Sequence, residues 1–247
     1  MAQINQNDIV QAEYIENIDY RYRPVFKLKN SKNNIICYIK LTNKNELYRT
    51  RLFCNIINSK NLLSKYKDIE IEFSKVLDFD FYKLPLYIQE YITNIINKIF
   101  NINGFRKSKD FLQEFLFITA VDTSGINLEN LQIKLDKESY KIFNQSYNEN
   151  DYQFKLKEKF SKIILNYLDN KCISADEWTC VKAFINDLHK YGFQHSDLYH
   201  NMFIKRSHKT NKLKVTLIDF DLETDAGSDD FVIEIWQTAL KKYGILI

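Results

Sequence analysis

The sequence predicts an α+β fold in two lobes, a small β-rich lobe over residues 1–91 and a larger helical lobe over 92–247. Three observations predict it. Runs rich in β-branched and aromatic residues crowd the first 90 positions around a single helical stretch. Apolar residues then recur at helical spacing through most of the remainder. The composition also fills a core: of 247 residues, 45% are hydrophobic and 15% aromatic, which excludes a disordered chain. Five Gly and two Pro exclude collagen-like and Pro-rich architectures.

Val25–Leu28 and Ile35–Leu41 are β-rich runs, and the polar connector 30–34 between them predicts a hairpin. From Asn45 to Ser59 the pattern turns helical, with Leu47, Leu52 and Ile56 on one stripe. Two further strands are expected at Glu72–Phe79 and Pro85–Tyr91, with the seam between lobes near Glu90 to Thr93. Helices are expected over 92–101, 109–120, 136–146, 152–169 and 175–190, so that 93–173 reads as a long helical insertion. Ser174 and Glu177 form an S-x-x-E capping box that opens the last of these helices, and Gly192 stops it. Strands at Met202–Lys205 and Val215–Asp219 flank a polar turn, and a helix over 229–243 follows.

A net charge of +3 is too small for a nucleic-acid footprint. Cys37, Cys54, Cys172 and Cys180 lack zinc-site spacing and read as free thiols. The polar start has no signal-peptide core, and no apolar run reaches the roughly 18 residues of a membrane span. A cytoplasmic protein is therefore expected. The basic stretch Lys205-Arg206-Ser207-His208-Lys209 has two readings, a solvated turn or a peripheral contact with an anionic membrane surface.

The chemistry concentrates in His195-Ser196-Asp197-Leu198-Tyr199-His200-Asn201, followed by Leu217-Ile218-Asp219-Phe220-Asp221. A helix ends in Gly, a loop presents His-x-Asp and then Asn, and a hairpin delivers a second Asp after an apolar strand. Phosphoryl transfer from ATP needs such parts: one carboxylate to orient and deprotonate a hydroxyl, and oxygen ligands for a hard cation on the phosphates.

These motifs resemble the protein-kinase-like superfamily, with its H-x-D-L catalytic loop, following Asn and D-F-G metal loop. The resemblance implies a two-lobed kinase fold, with catalytic loop 193–204 and metal loop 217–221, that uses ATP with Mg²⁺ or Mn²⁺. It makes Asp197 the catalytic base and Asn201 and Asp219 the metal ligands. Cys37-Tyr38-Ile39-Lys40 looks like the family's lysine strand, making Lys40 the phosphate clamp. Leu86–Ile92 looks like the strand and hinge that hold adenine through the backbone, which nominates Gln89, Glu90 and Tyr91. Glu46, six residues beyond Lys40, is the nearest acid to partner it, and a surface pair with Arg49 is its other reading.

The family's pattern is modified in places. No Gly precedes Gly104, so a Gly-rich phosphate loop is missing, and Arg21 or Arg23 is left to assist by charge. Asn201 lies four residues after Asp197, one closer than in the family pattern, which implies either a shortened loop or Met202 at the ligand position. Asp221 replaces the Gly of D-F-G. Only 26 residues follow Asp221, too few for an activation segment and peptide-docking helices, and Asp229 or Asp230 resembles the acid that braces the catalytic loop. His-x-Asp-Leu-Tyr with Ile-Asp-Phe-Asp is similar to the lipopolysaccharide-kinase branch, the Kdo and heptose kinases. That implies a kinase acting on a hydroxyl of a sugar or glycolipid. The alternatives are a divergent protein kinase, a pseudokinase that binds partners, and nucleotidyl transfer on the same fold.

Overall fold

The structure is a computed structural model that describes residues 8–15, 24–42, 44–102, 114–220 and 228–247. Arg21, Arg23, Gly104 and Asp221 lie outside the described residues. The chain divides into two units, one of residues 1–54 and 74–120 and the other of 55–73 and 121–247.

In the first unit, alternation of side chains builds a sheet with one apolar face. Strand β1 (Gln11–Ile15) pairs with β2 (Val25–Lys29), β2 with β3 (Ile35–Thr42), and β3 with the later strand Glu114–Thr119, every pair antiparallel. Phe26 and Leu28 of β2 and Cys37, Ile39 and Leu41 of β3 are buried, two residues apart as the pleat requires. The expected β2–β3 hairpin is present. Its turn uses Asn33 at φ +62°, and the Asn30 side chain accepts from the amides of Lys32 and Asn34 at 3.0 and 2.9 Å. Helix α1 (Lys44–Ser59) follows β3 almost directly.

Two expected elements exchange identity in this unit. Leu86–Ile102 is a helix, not the strand expected over 85–91. Ile88, Ile92 and Ile96, four residues apart, are buried in one cluster with Phe26, Leu28 and Ile39. The β-branched content of this run suggested a strand, but its spacing of four is helical, and burial against the sheet decides. Conversely, Glu114–Thr119, expected inside a helix over 109–120, is the strand beside β3 at the end of the four-stranded order. Its adjacent residues Leu116 and Phe117 are both buried, and an apolar run buried on both faces carries no period of two.

The strand expected at 72–79 is split. Lys75–Leu77 runs beside the Glu114–Thr119 strand, with Leu77 N donating to Phe117 O at 2.8 Å and Thr119 N to Lys75 O at 2.9 Å. Glu70–Phe73 (β4) belongs to the second unit. The change of unit therefore falls after Ala120, not at residue 91, and 93–173 is not an uninterrupted helical insertion. The Glu114–Thr119 strand is β5, and the helix before it, Leu86–Ile102, is α3.

In the second unit, β4 lies parallel to β7 (Leu213–Leu217), which pairs antiparallel with β6 (Met202–Arg206), giving the order β4-β7-β6. Around this small sheet come α2 (Leu62–Lys65), α4 (Leu128–Asn144), α5 (Glu149–Tyr167), α6 (Ala175–Lys190), the single turn α7 (Leu198–Asn201) and α8 (Asp229–Lys242). The capping box of α6 is formed as expected, with Trp178, Val181, Phe184, Ile185 and Leu188 on its buried face. Gly192 sits at φ +82°, where Gly192 N donates to His189 O and Phe193 N to Leu188 O, the two bonds of a Schellman cap.

Glu177 also pairs with the buried guanidinium of Arg206 and accepts from Leu213 N at 3.0 Å, tying the start of α6 to the β6–β7 hairpin. Lys205 pairs with Asp122. Two charges of the basic stretch 205–209 are thus spent internally and present no cationic face. The cysteines are free, and burial pushes the Cys37 thiol up to about 12. No described helix is long and apolar enough to cross a membrane.

Candidate functional site

Lys40 lies on β3 between Ile39 and Leu41, so it projects from the face opposite the apolar one. Its Nζ is 2.7 Å from Glu46 Oε1, both side chains being almost fully buried. Thr42 Oγ1 donates to the other carboxylate oxygen, and Thr50 Oγ1 to the Glu46 carbonyl at 2.8 Å. The two readings of Glu46 are thereby separated: it is a buried partner of Lys40, in the first turn of α1. A connection this short works because β3 runs almost directly into the helix, bringing position 46 back over position 40.

The catalytic-loop candidates occupy the second unit. Asp229, at the first position of α8 and 1% exposed, accepts from His195 N at 2.7 Å, Ser196 N at 2.8 Å and His189 Nε2 at 2.9 Å. Of the two acids nominated as the brace, Asp229 makes these contacts, whereas the side chain of Asp230 is 68% exposed. His195 is 1% exposed and donates from Nε2 to Ile218 O at 3.0 Å, while its ring packs on Phe220 at 5.2 Å. Phe220 also meets Phe193 at 6.0 Å. His195 therefore links the loop to the segment carrying Asp219.

Ser196 and Asp219 both hold positive φ, +69° and +51°, a region costly for residues with a Cβ. The Asp229 bonds and the Phe193–His195–Phe220 packing surround both positions and over-determine them. Asp197, buried just before α7, accepts from Asn201 Nδ2 at 2.8 Å and from His200 Nδ1 at 2.6 Å. Ile218 N donates to Asn201 O at 3.1 Å, so Asn201 and Asp219 come to the same end of the β6–β7 hairpin. Met202 is fully buried and pairs with Leu217 in the sheet. Asn201 thus stands beside Asp197, while Met202 is turned into the sheet.

Among the described residues no three His, Cys, Asp or Glu side chains form a metal cage. Asn201 turns its amide nitrogen to Asp197, and its remaining Oδ1 and the Asp219 carboxylate are the oxygens on offer. Two such oxygens suit Mg²⁺, which is held by few protein groups and completes its shell with water and phosphate.

The adenine-binding nominations do not survive as a strand edge. Gln89, Glu90 and Tyr91 lie within α3, where backbone groups bond within the helix. Gln89 Nε2 donates to Leu84 O at 2.7 Å, and Tyr91 Oη accepts from Tyr14 N.

Several contributing residues were missed. Asp122 follows β5; its amide donates to Glu72 at 3.0 Å, and its carboxylate meets Lys205 and Lys214. Burial pushes the Asp122 carboxyl up, but the Lys205 and Ser124 donors outweigh it and hold it below the usual range. Gly125 lies so close to β6 that a Cβ there would stand 2.8 Å from Ile204 O. Asn127, the buried N-cap of α4, donates from Nδ2 to the carbonyl of His200. Only His200 had a legible signal, standing three residues after Asp197, within reach of one helical turn.

Residues 166–225 match the Lipopolysaccharide kinase (Kdo/WaaP) family model, a span that contains α6, the loop 193–204 and the hairpin to Asp219. No curated protein and no solved structure matches the chain at a significant level.

Proposed function

We propose that this protein is an ATP-dependent phosphotransferase that moves the γ-phosphate to a hydroxyl of a sugar or glycolipid. The observation that carries the reading is the braced loop in which Asp197, Asn201 and the Asp219 segment meet, inside the stretch that matches the lipopolysaccharide kinase family. In this reading Asp197 takes the proton of the acceptor hydroxyl. The acceptor oxygen forms a bond to the γ-phosphorus, the bond from that phosphorus to the β,γ-bridging oxygen breaks, and ADP leaves with the electron pair. Asn201 and Asp219 would hold Mg²⁺, which when bound neutralises phosphate charge.

Lys40, fixed by Glu46, offers its ammonium to the phosphates. The adenine-recognising role nominated for Gln89, Glu90 and Tyr91 passes to the backbone at Ala120 and Val121, which follow β5 as the hinge follows a strand in the kinase-like pattern.

Calorimetry of ATP with and without Mg²⁺, on wild type and Asp219→Asn, tests the nucleotide half of the reading. Magnesium-dependent binding lost in the variant is expected; absent or metal-indifferent binding in wild type overturns it and favours a pseudokinase. Transfer of labelled γ-phosphate to lipopolysaccharide inner-core acceptors, lost in Asp197→Ala, tests the acceptor half. Label entering protein instead of glycolipid would point to a protein kinase.

A further inference from the structure

We infer that His200 is a positioning residue that sets the orientation of the Asp197 carboxylate; the inference rests on the phosphotransfer reading above. An ionised carboxylate only accepts hydrogen bonds, so the 2.6 Å contact between His200 Nδ1 and Asp197 Oδ1 places the ring proton on Nδ1. Asn201 Nδ2 donates to the other oxygen, Oδ2, at 2.8 Å. The two donors stand at the third and fourth positions after Asp197, on the single turn α7, so one helical turn reaches both carboxylate oxygens.

This matters because the terminal torsion of Asp is broad. A carboxylate held from one side swings, and the lone pair that meets the acceptor hydroxyl swings with it. His200 holds Oδ1 as Asn201 holds Oδ2. Two further contacts bear on the place of His200, although the side chain is 40% exposed. The ring stands edge-on to Tyr199 at 5.0 Å, and its backbone carbonyl receives Nδ2 of Asn127, a residue only 3% exposed.

Phosphate release from Mg·ATP with water as the acceptor tests the inference without knowledge of the sugar. His200→Gln places its amide nitrogen where Nε2 was and does not reach Asp197. Its kcat is expected to fall about 10–100-fold with the KM for ATP unchanged. His200→Asn carries an amide nitrogen in the place of Nδ1 and restores turnover to within about threefold of wild type. Equal activity in both variants, an equal loss in both, or a change confined to KM overturns the inference. Melting temperatures identify a variant that fails to fold.

Long-range ¹H–¹⁵N NMR of the neutral ring gives a readout independent of turnover. The Nδ1–H tautomer is expected in wild type and the Nε2–H tautomer in Asp197→Ala. An Nε2–H ring in wild type overturns the inference whatever the activity. Wild-type release no faster than that of Asp197→Ala would instead overturn the phosphotransfer reading, and the tautomer still decides the His200 contact.

Discussion

Asp197 and Asp229 are both buried carboxylates of the second unit, yet the groups that hold them differ in kind. Asp229 accepts from two backbone amides, His195 N and Ser196 N, and from His189. Among the donors on Asp197 are two side chains, Asn201 Nδ2 and His200 Nδ1. Backbone donors cannot turn away without moving the chain, so Asp229 fixes the loop. Side-chain donors orient a carboxylate and still yield to a substrate, which suits the base role proposed for Asp197. One aspartate is thus a brace, and the other is the proposed reagent, reached by side chains that include Asn201 and His200.

The sharpest way to break this contrast is to neutralise each in turn. Asp197→Asn should lower phosphate transfer by about 10²–10⁴-fold while shifting stability by no more than about 1 kcal/mol. Asp229→Ala should do the reverse. It leaves two buried amides unsatisfied and should cost about 3 kcal/mol, read as a lowered midpoint in denaturant. Near-wild-type stability for Asp229→Ala would show that the brace is dispensable.

The Lys40–Glu46 pair sharpens the contrast in the first unit, because it is buried like Asp229 but, like Asp197, is proposed to serve the transfer itself. Lys40→Met strands the Glu46 charge and should cost about 3–5 kcal/mol as well as raise the KM for ATP. Adding Glu46→Leu should recover much of the stability and none of the nucleotide affinity. Recovery of both would remove Lys40 from the phosphate site.

Gly125→Ala probes the support beneath the loop. The neighbour met at 2.8 Å is backbone, so a loss of about 1–3 kcal/mol is expected in thermal melts. The smallest effect is expected from Ser196→Gly. Relief of the positive φ should offset the added chain entropy and leave stability within about 1 kcal/mol of wild type. A large loss there would mean that the serine side chain, not the backbone geometry, serves the loop.

Between Ser174 and Leu217 the capped helix and both strands were legible, the second strand lying two residues earlier than expected. The helix carries a capping box and a Gly stop, and the strands are bounded by polar turns. Local chemistry there agrees with the tertiary outcome. Residues 85–120 were not legible. Ile88, Ile92 and Ile96 carry a helical period within a run whose residue types favour strands, and Phe115 to Ile118 carry no period at all. Such segments are settled by what they pack against. The strand expected at 85–91, on which the nomination of Gln89–Tyr91 rested, is lost in that exchange.

By itself the sequence determined the α+β class, the β2–β3 hairpin, the capped helix α6 and the candidates Lys40, Asp197, Asn201 and Asp219, because each is written in turns, caps or motif order within a short window. Only the tertiary structure decided that Glu46 faces Lys40, that Asp229 braces the loop, that His200 reaches Asp197 and that β5 lies beside β3. Each of these depends on distances between segments, whether one helical turn or more than 70 residues apart in the chain, and on burial. A lone sequence window records neither.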